Sequence, residues 1–236
     1  MAEKQNDQKK TFFNARNAFF LVIGILIVAF AVFYISKLQN SNNNAKSLAK
    51  VEIRQYKGAK LSSVNDIVET SIKGPQNVNV KTYSLLITGL VNKEKKYNYD
   101  QIISGHQAYK KVVQLNCVEG WSVNLLWQGV LVKDLLNEAG TNPKANTVIF
   151  YAADGYTTSL PLSYIINNNI LLAYKINGTT LTPATGFPFQ VVAESKLGYK
   201  WAKWVTKIEL SSNNNYQGYW ESRGYSNNAD VNGGGY

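Results

Sequence analysis

The sequence predicts an α+β domain of mixed β-sheets and short helices behind one N-terminal transmembrane helix. Three observations predict it. From Ala18 to Ile35 no side chain carries a charge, and a run of that length approaches the ~20 residues a spanning helix needs. From Val51 onward, runs rich in β-branched and aromatic residues alternate with isolated helical stretches and show no regular βαβ repeat, the pattern of an α+β domain. Finally, 236 residues that are 45% hydrophobic and 12% aromatic can bury one core of ordinary size and still leave an appendage.

The elements follow in order along the chain. Residues 1–17 carry Lys4, Lys9, Lys10 and Arg16, and Lys37, Lys46 and Lys50 follow the apolar run, so the charge bias sets the N-terminus in the cytoplasm. Residues 18–36 read as an uncleaved anchor. The run exceeds the ~7–15 apolar residues of a signal peptide, and no small-x-small cleavage site follows it. Residues 37–50 contain Gln39-Asn-Ser-Asn-Asn-Asn-Ala45, which has nothing to bury and reads as a polar linker. The folded domain spans 51–225. Within it, Thr82 to Leu90, Val148 to Tyr151, Phe189 to Val192 and Trp204 to Leu210 read as strands. Gly129 to Ala139 reads as a helix stopped by Gly140, and Tyr97 to Ile103 as a second, short one. The Gly- and Asn-rich residues 226–236 read as a flexible tail.

A formal net charge of +10 favours anionic partners or surfaces. No run of five basic residues and no nucleic-acid-binding module occurs, so nucleic acid is not among the expected partners. Cys117 is the only cysteine, which excludes an internal disulfide framework. Outside the cytoplasm such a thiol survives by burial or by being tied up in a bond, and a metal–thiolate bond would do the latter.

That cysteine lies in Leu115-Asn-Cys117-Val-Glu119-Gly-Trp121-Ser122. Together with Tyr83-Ser-Leu-Leu-Ile-Thr-Gly-Leu-Val91, Asp154-Gly-Tyr156, Gly186-Phe-Pro188, Gly198-Tyr-Lys-Trp-Ala-Lys-Trp204 and Gly218-Tyr-Trp-Glu-Ser-Arg-Gly-Tyr225, it forms an ordered set. The set resembles the sulfite-oxidase-like molybdopterin-binding oxidoreductase domains, over nearly all of Val51 to Tyr225. The small size and lone cysteine are most similar to the branch that holds the catalytic subunit of protein-methionine-sulfoxide reductase. The resemblance implies a sulfite-oxidase-type fold and one molybdenum–molybdopterin cofactor per chain.

It also implies roles. Cys117 would supply the thiolate to molybdenum, a soft donor beside positions left open for oxygen transfer. Glu119 matches an acidic residue near the metal, where it would position substrate or a proton; a surface carboxylate paired with a lysine is the plainer reading. For the cofactor, Asn65-Asp-Ile-Val68-Glu69 resembles the family's Asn-x-x-x-Glu contact, though an Asx residue before an apolar stretch is also a helix cap. Ala152 matches a contact position by spacing. Gly198-Tyr199-Lys200 matches the segment that wraps the cofactor: the glycine permits close approach, and Lys200 or Lys203 offers charge to the phosphate. His106 falls outside every motif and reads as a loop residue.

One departure stands out. Relatives carry His or Asn, then Gly-x-Pro-x-Arg, where this chain has Thr185-Gly-Phe-Pro-Phe-Gln190. Glutamine keeps hydrogen bonding but loses the charge and fork of arginine. The resemblance therefore leaves two functions open. The first is a membrane-anchored, single-pass oxidoreductase with an extracytoplasmic domain, moving an oxygen atom to or from a small or peptide-borne substrate by sulfite oxidation or by S- or N-oxide reduction. The second is a non-catalytic binding protein on the same fold that has lost its cofactor. No haem or iron–sulfur motif occurs, so electrons would pass to a separate haem or quinone-linked partner.

Overall fold

The computed structural model describes residues 20, 22–39 and 51–233. It divides into two units, Met1–Lys50 and Val51–Tyr236. In the first, helix α1 covers Val22–Gln39 with a mean hydropathy of 2.1, and all its described side chains are exposed. A helix apolar all round suits lipid. It runs through Lys37–Gln39, which the sequence reading gave to the linker. The expected cytoplasmic segment and the rest of the linker lie outside the described residues.

In the second unit, a hairpin of β1 (Gln55–Tyr56) and β2 (Ala59–Lys60) precedes two five-stranded sheets. The first sheet runs β10 (Thr179–Thr180), β9 (Leu171–Ile176), β6 (Ser122–Leu131), β5 (Tyr109–Asn116), with β11 (Gln190–Val192) also on β9. The second runs β4 (Lys95–Tyr97), β3 (Leu85–Gly89), β12 (Val205–Ser211), β7 (Thr147–Ala152), β8 (Thr157–Pro161). All the strand pairings are antiparallel except β3 with β12. Continuous apolar runs make the innermost strands: in β7, Val148, Ile149 and Phe150 are all buried, so that strand is covered on both faces. Short helices α2 (Tyr99–Gly105), α3 (Val132–Ala139) and α4 (Leu162–Asn167) connect the strands. This is the α+β arrangement of mixed sheets and few helices that the sequence predicts.

Two expectations change. Gly129 to Leu131 belong to β6 rather than to a helix, because a Cβ on Gly129 would run into the carbonyl oxygen of Leu172 on the neighbouring strand. Helix α3 starts only where Val132, Leu135, Leu136 and Ala139 form one buried face. The C-terminal segment is not frayed over its described part: Ala229 is buried, and Asp230 pairs with Lys196 at 2.5 Å.

The start of the domain is fastened by a buried carboxylate. Glu52 accepts from Arg54 Nη1 (2.9 Å), Ser63 Oγ (2.7 Å), the Val64 main-chain N–H (2.9 Å) and Asn177 Nδ2 (3.4 Å). Burial pushes its pKa up, but those donors together hold it below the ordinary 4.5. A carboxyl lowered in the fold stabilises above its unfolded value and loses that contribution as pH falls through the folded one. Glu52→Ala is expected to cost about 2–3 kcal/mol at neutral pH, since it leaves buried donors unpaired. The difference in melting temperature between wild type and variant should shrink below pH 4.5; a gap independent of pH would show the carboxylate charge to be irrelevant.

Candidate active site

Cys117 opens the turn that joins β5 to β6. Its N–H donates to Trp121 O (2.9 Å), and the N–H of Gly120 donates to Cys117 O (3.1 Å). Gly120 holds φ +88°, a conformation that favours glycine, so the turn presents the cysteine at the end of the longest hairpin of the domain. A parallel bridge between Asn116 and Leu197 then brings the Gly198–Lys200 turn alongside. A Cβ on Gly198 would lie 3.7 Å from Cys117 Cα, so the glycine allows main chain to pack on main chain there.

These segments enclose a cavity of ≈ 170 Å³. Of the residues singled out from sequence, Cys117, Glu119, Val68, Thr185, Gln190, Gly198, Tyr199 and Lys203 line it. Gln190 is 3% exposed, and its amide has no hydrogen-bond partner among the described residues. Gly186 (φ +92°) packs between it and Lys203, since a Cβ there would sit 3.1 Å from Gln190 Cβ and 3.2 Å from Lys203 Cβ. Glu119 stands exposed at the rim, accepting from Trp121 Nε1 at 3.4 Å.

Four candidates lie elsewhere. Lys200 is the main correction: its side chain is fully buried and points away from the cavity into Glu221 Oε1 (2.5 Å), Ser159 O (3.1 Å) and Asn227 Oδ1 (3.1 Å). All three ammonium protons are used, so it offers no charge to a phosphate. Glu69 sits behind the wall with Lys203 Nζ at 3.0 Å. Ala152 is buried in β7, opposite Val205, and Asn65 is exposed on the turn Val64–Asp66. His106 is a loop residue just after α2, as expected, with its ring 3.0 Å from Glu138 and edge-on to Tyr97.

The cavity also recruits residues the sequence reading quoted in motifs but gave no role. Asp154 is 4% exposed and lines the wall; one of its oxygens accepts from the Tyr156 N–H (2.9 Å), and the other has no partner among the described residues. Tyr156 donates to Tyr199 O, and Tyr199 in turn donates to Ser226 O at 2.7 Å. Trp201, Trp204 and Tyr225 complete an aromatic lining. Burial pushes the Cys117 thiol up and the Glu119 carboxylate adds to this, while main-chain N–H groups of Glu119 and Val118 and the Lys203 ammonium oppose it.

Residues 72–220, more than half the chain, match the family model for the oxidoreductase molybdopterin-binding domain. The chain belongs to this molybdopterin-binding oxidoreductase family. Among curated proteins it is 34% identical over 152 residues to the uncharacterized oxidoreductase YuiH of Bacillus subtilis, a match covering 64% of this chain and 76% of that one. It is 30% identical over 145 residues to the protein-methionine-sulfoxide reductase catalytic subunit MsrP of Gluconobacter oxydans, covering 54% of this chain and 46% of the other. The chain thus spans under half of that relative's length. Among solved structures, the sulfane dehydrogenase SoxCD of Paracoccus pantotrophus superposes with a TM-score of 0.58 at 22% identity, over 66% of this chain and 43% of that one. That likeness concerns the fold alone.

The residues present fit the family's cofactor. Among the described residues no cluster of three His, Cys, Asp or Glu could hold a bare metal ion. A metal beside Cys117 therefore needs its remaining ligands from an organic group, as a dithiolene pterin provides. The buried amide of Gln190 and carboxylate of Asp154, with the Ser71 hydroxyl that has no hydrogen-bond partner among the described residues, give such a group donors and acceptors in the wall.

Proposed function

We propose that this chain is a membrane-anchored molybdenum enzyme that removes an oxygen atom from an uncharged S- or N-oxide. Helix α1 would anchor it, with the Val51–Tyr225 domain outside the cytoplasm and the polar linker between. In this reading Cys117 binds the metal of a molybdenum–molybdopterin cofactor, and Thr185, Gln190, Gly198, Tyr199 and Lys203 hold the pterin. When bound, that group supplies the two-electron chemistry of oxygen transfer. The protein's share would be to fix the thiolate at a hairpin end, exclude water with Trp121, Trp201 and Tyr225, and line the cavity with the carboxylates of Glu119 and Asp154. Electrons would come from a separate haem or quinone-linked partner.

The charge of the wall carries the choice of an uncharged oxide. Lys203 is the only lysine or arginine that lines the cavity among the described residues, and its ammonium already serves Glu69 and Ala184 O. Against it stand Glu119 and Asp154. An oxyanion such as sulfite would meet two carboxylates and no unshared cation, whereas a dipolar sulfoxide or amine oxide incurs no such repulsion. Each turnover takes two electrons and two protons, turning the oxide into sulfide or amine plus water. Glu119 at the rim is placed to pass protons inward.

The test is direct. The full chain, purified in detergent from a host that makes the cofactor, is assayed for molybdenum and for oxidation of a reduced viologen dye by dimethyl sulfoxide, and separately for sulfite oxidation by ferricyanide. About one molybdenum per chain and turnover with the sulfoxide alone are expected. Faster turnover with sulfite would reverse the assignment, and a metal-free protein would favour the binding-protein reading.

A further inference from the structure

One wall of the cavity, formed by Ile67, Val68, Thr70, Ser71 and Ile72, is built unlike the others. It belongs to a stretch of neither helix nor strand that continues past Val78. Among the described residues, no main-chain group between Val68 and Val78 bonds to a residue outside that stretch. Both ends, by contrast, are firmly fixed. Before it, Ser63 and Asp66 form a reciprocal cap beside the buried Glu52. After it, the buried Tyr83 donates its hydroxyl to Val205 O. Between these anchors the one ion pair to the rest of the domain, among the described residues, is Glu69 Oε1 to Lys203 Nζ at 3.0 Å, with side chains 26% and 16% exposed, aided by the half-buried Ile72 and Val78.

Most of the remaining wall rests on β5, β6 and β11 and on turns bridged to them, so opening it breaks a ladder of main-chain hydrogen bonds, and the Trp220–Tyr225 side is held by Tyr219 N–H to Thr157 O (2.9 Å), by the buried Lys200–Glu221 pair and by Tyr199 to Ser226 O. Local opening follows the path with the fewest such bonds. We propose that the Val68–Val78 strap is the door through which the cofactor enters and leaves the cavity, and that the Glu69–Lys203 pair is its latch. This rests on the reading above that the cavity holds the molybdenum cofactor. Glu69 thereby acquires a role distinct from a direct cofactor contact. It is a gate residue, acting through the mobility of the strap.

Two measurements on the full chain in detergent test this. In protein from a host lacking the cofactor, hydrogen exchange read by mass spectrometry should show the amides of 68–78 exchanging far ahead of those in β6, β7 and β12, and loading should slow them. Glu69→Gln should then raise the rate of loading from added cofactor and the rate of molybdenum loss alike, by about two- to fivefold each, the range expected for a partly exposed ion pair. The exchanged pair Glu69→Lys with Lys203→Glu should return strap exchange in the cofactor-free chain toward wild type. Strap amides as slow as those of the sheets would overturn the proposal. So would a variant that loses molybdenum faster but loads it more slowly, the signature of a lost contact. Unchanged kinetics in a chain that does bind molybdenum defeats the door alone. A chain that takes up no molybdenum defeats both the door and the cofactor reading.

Discussion

Replacing Cys117 by serine is expected to abolish turnover and to strip the chain of molybdenum while leaving the domain folded. A serine oxygen at this place is a hard donor that stays protonated near neutral pH, where the metal calls for a soft, charged one. Loss of a partner that merely orients a metal ligand costs 10–100-fold, so loss of the ligand itself should cost at least about a hundredfold. The fold should survive because the turn is held by main-chain hydrogen bonds that serine keeps, and because the thiol is only half-buried. Metal analysis, turnover and circular dichroism on one preparation decide it. A serine variant with full activity and metal content would remove the thiolate from the mechanism.

The second large effect concerns Lys200 and Glu221, a pair whose side chains are both 0% exposed. Burial pulls the lysine's pKa down and the adjoining carboxylate pulls it back up, with the balance below the ordinary value. Lys200→Met would leave Glu221 buried with Thr158 Oγ1 as its remaining donor, at 2.6 Å. Removing one partner of a buried pair costs about 3–5 kcal/mol, while replacing both by apolar groups is often neutral. For a domain of this size that is a melting temperature lower by roughly 10 °C. The double change Lys200→Met with Glu221→Leu should recover most of it. Thermal unfolding of the three proteins is the check: a double variant as unstable as the single one would show that the cost lies in packing and leaves the ion pair without a part in it.

Much of the domain was legible because local chemistry and fold agree. Strands predicted at 148–151 and 204–210 are observed as Thr147–Ala152 and Val205–Ser211, since β-branched runs between turn residues admit little else. The Gly129 region misled because Val130, Leu131, Leu135 and Leu136 satisfy helical spacing as well as a buried strand end. Only the approach of the Leu172 main chain, distant in sequence, decides between them. At the site, Cys117, Thr185 and Gln190 could be located from ordered motifs. The direction of Lys200 could not, because that depends on Glu221 folding back over β8. Asp154 went unassigned for a similar reason: its burial comes from tertiary packing, and a D-G pair by itself signals only a turn.

The pairing of β12 between β3 and β7 has a consequence for biosynthesis. The middle strand of the second sheet is drawn from residues 205–211, while its neighbours come from 85–89 and 147–152. Until those late residues have left the ribosome, β3 and β7 expose the edges they will later pair, whereas every strand of the first sheet, from residues 109–192, is already available to pair. A polypeptide halted before Val205 holds the cysteine turn yet has no centre to its second sheet, so it should be a substrate for proteases rather than a partly working enzyme. The second sheet consequently closes only near the end of synthesis, together with the part of the cavity wall drawn from Gly198 to Tyr225.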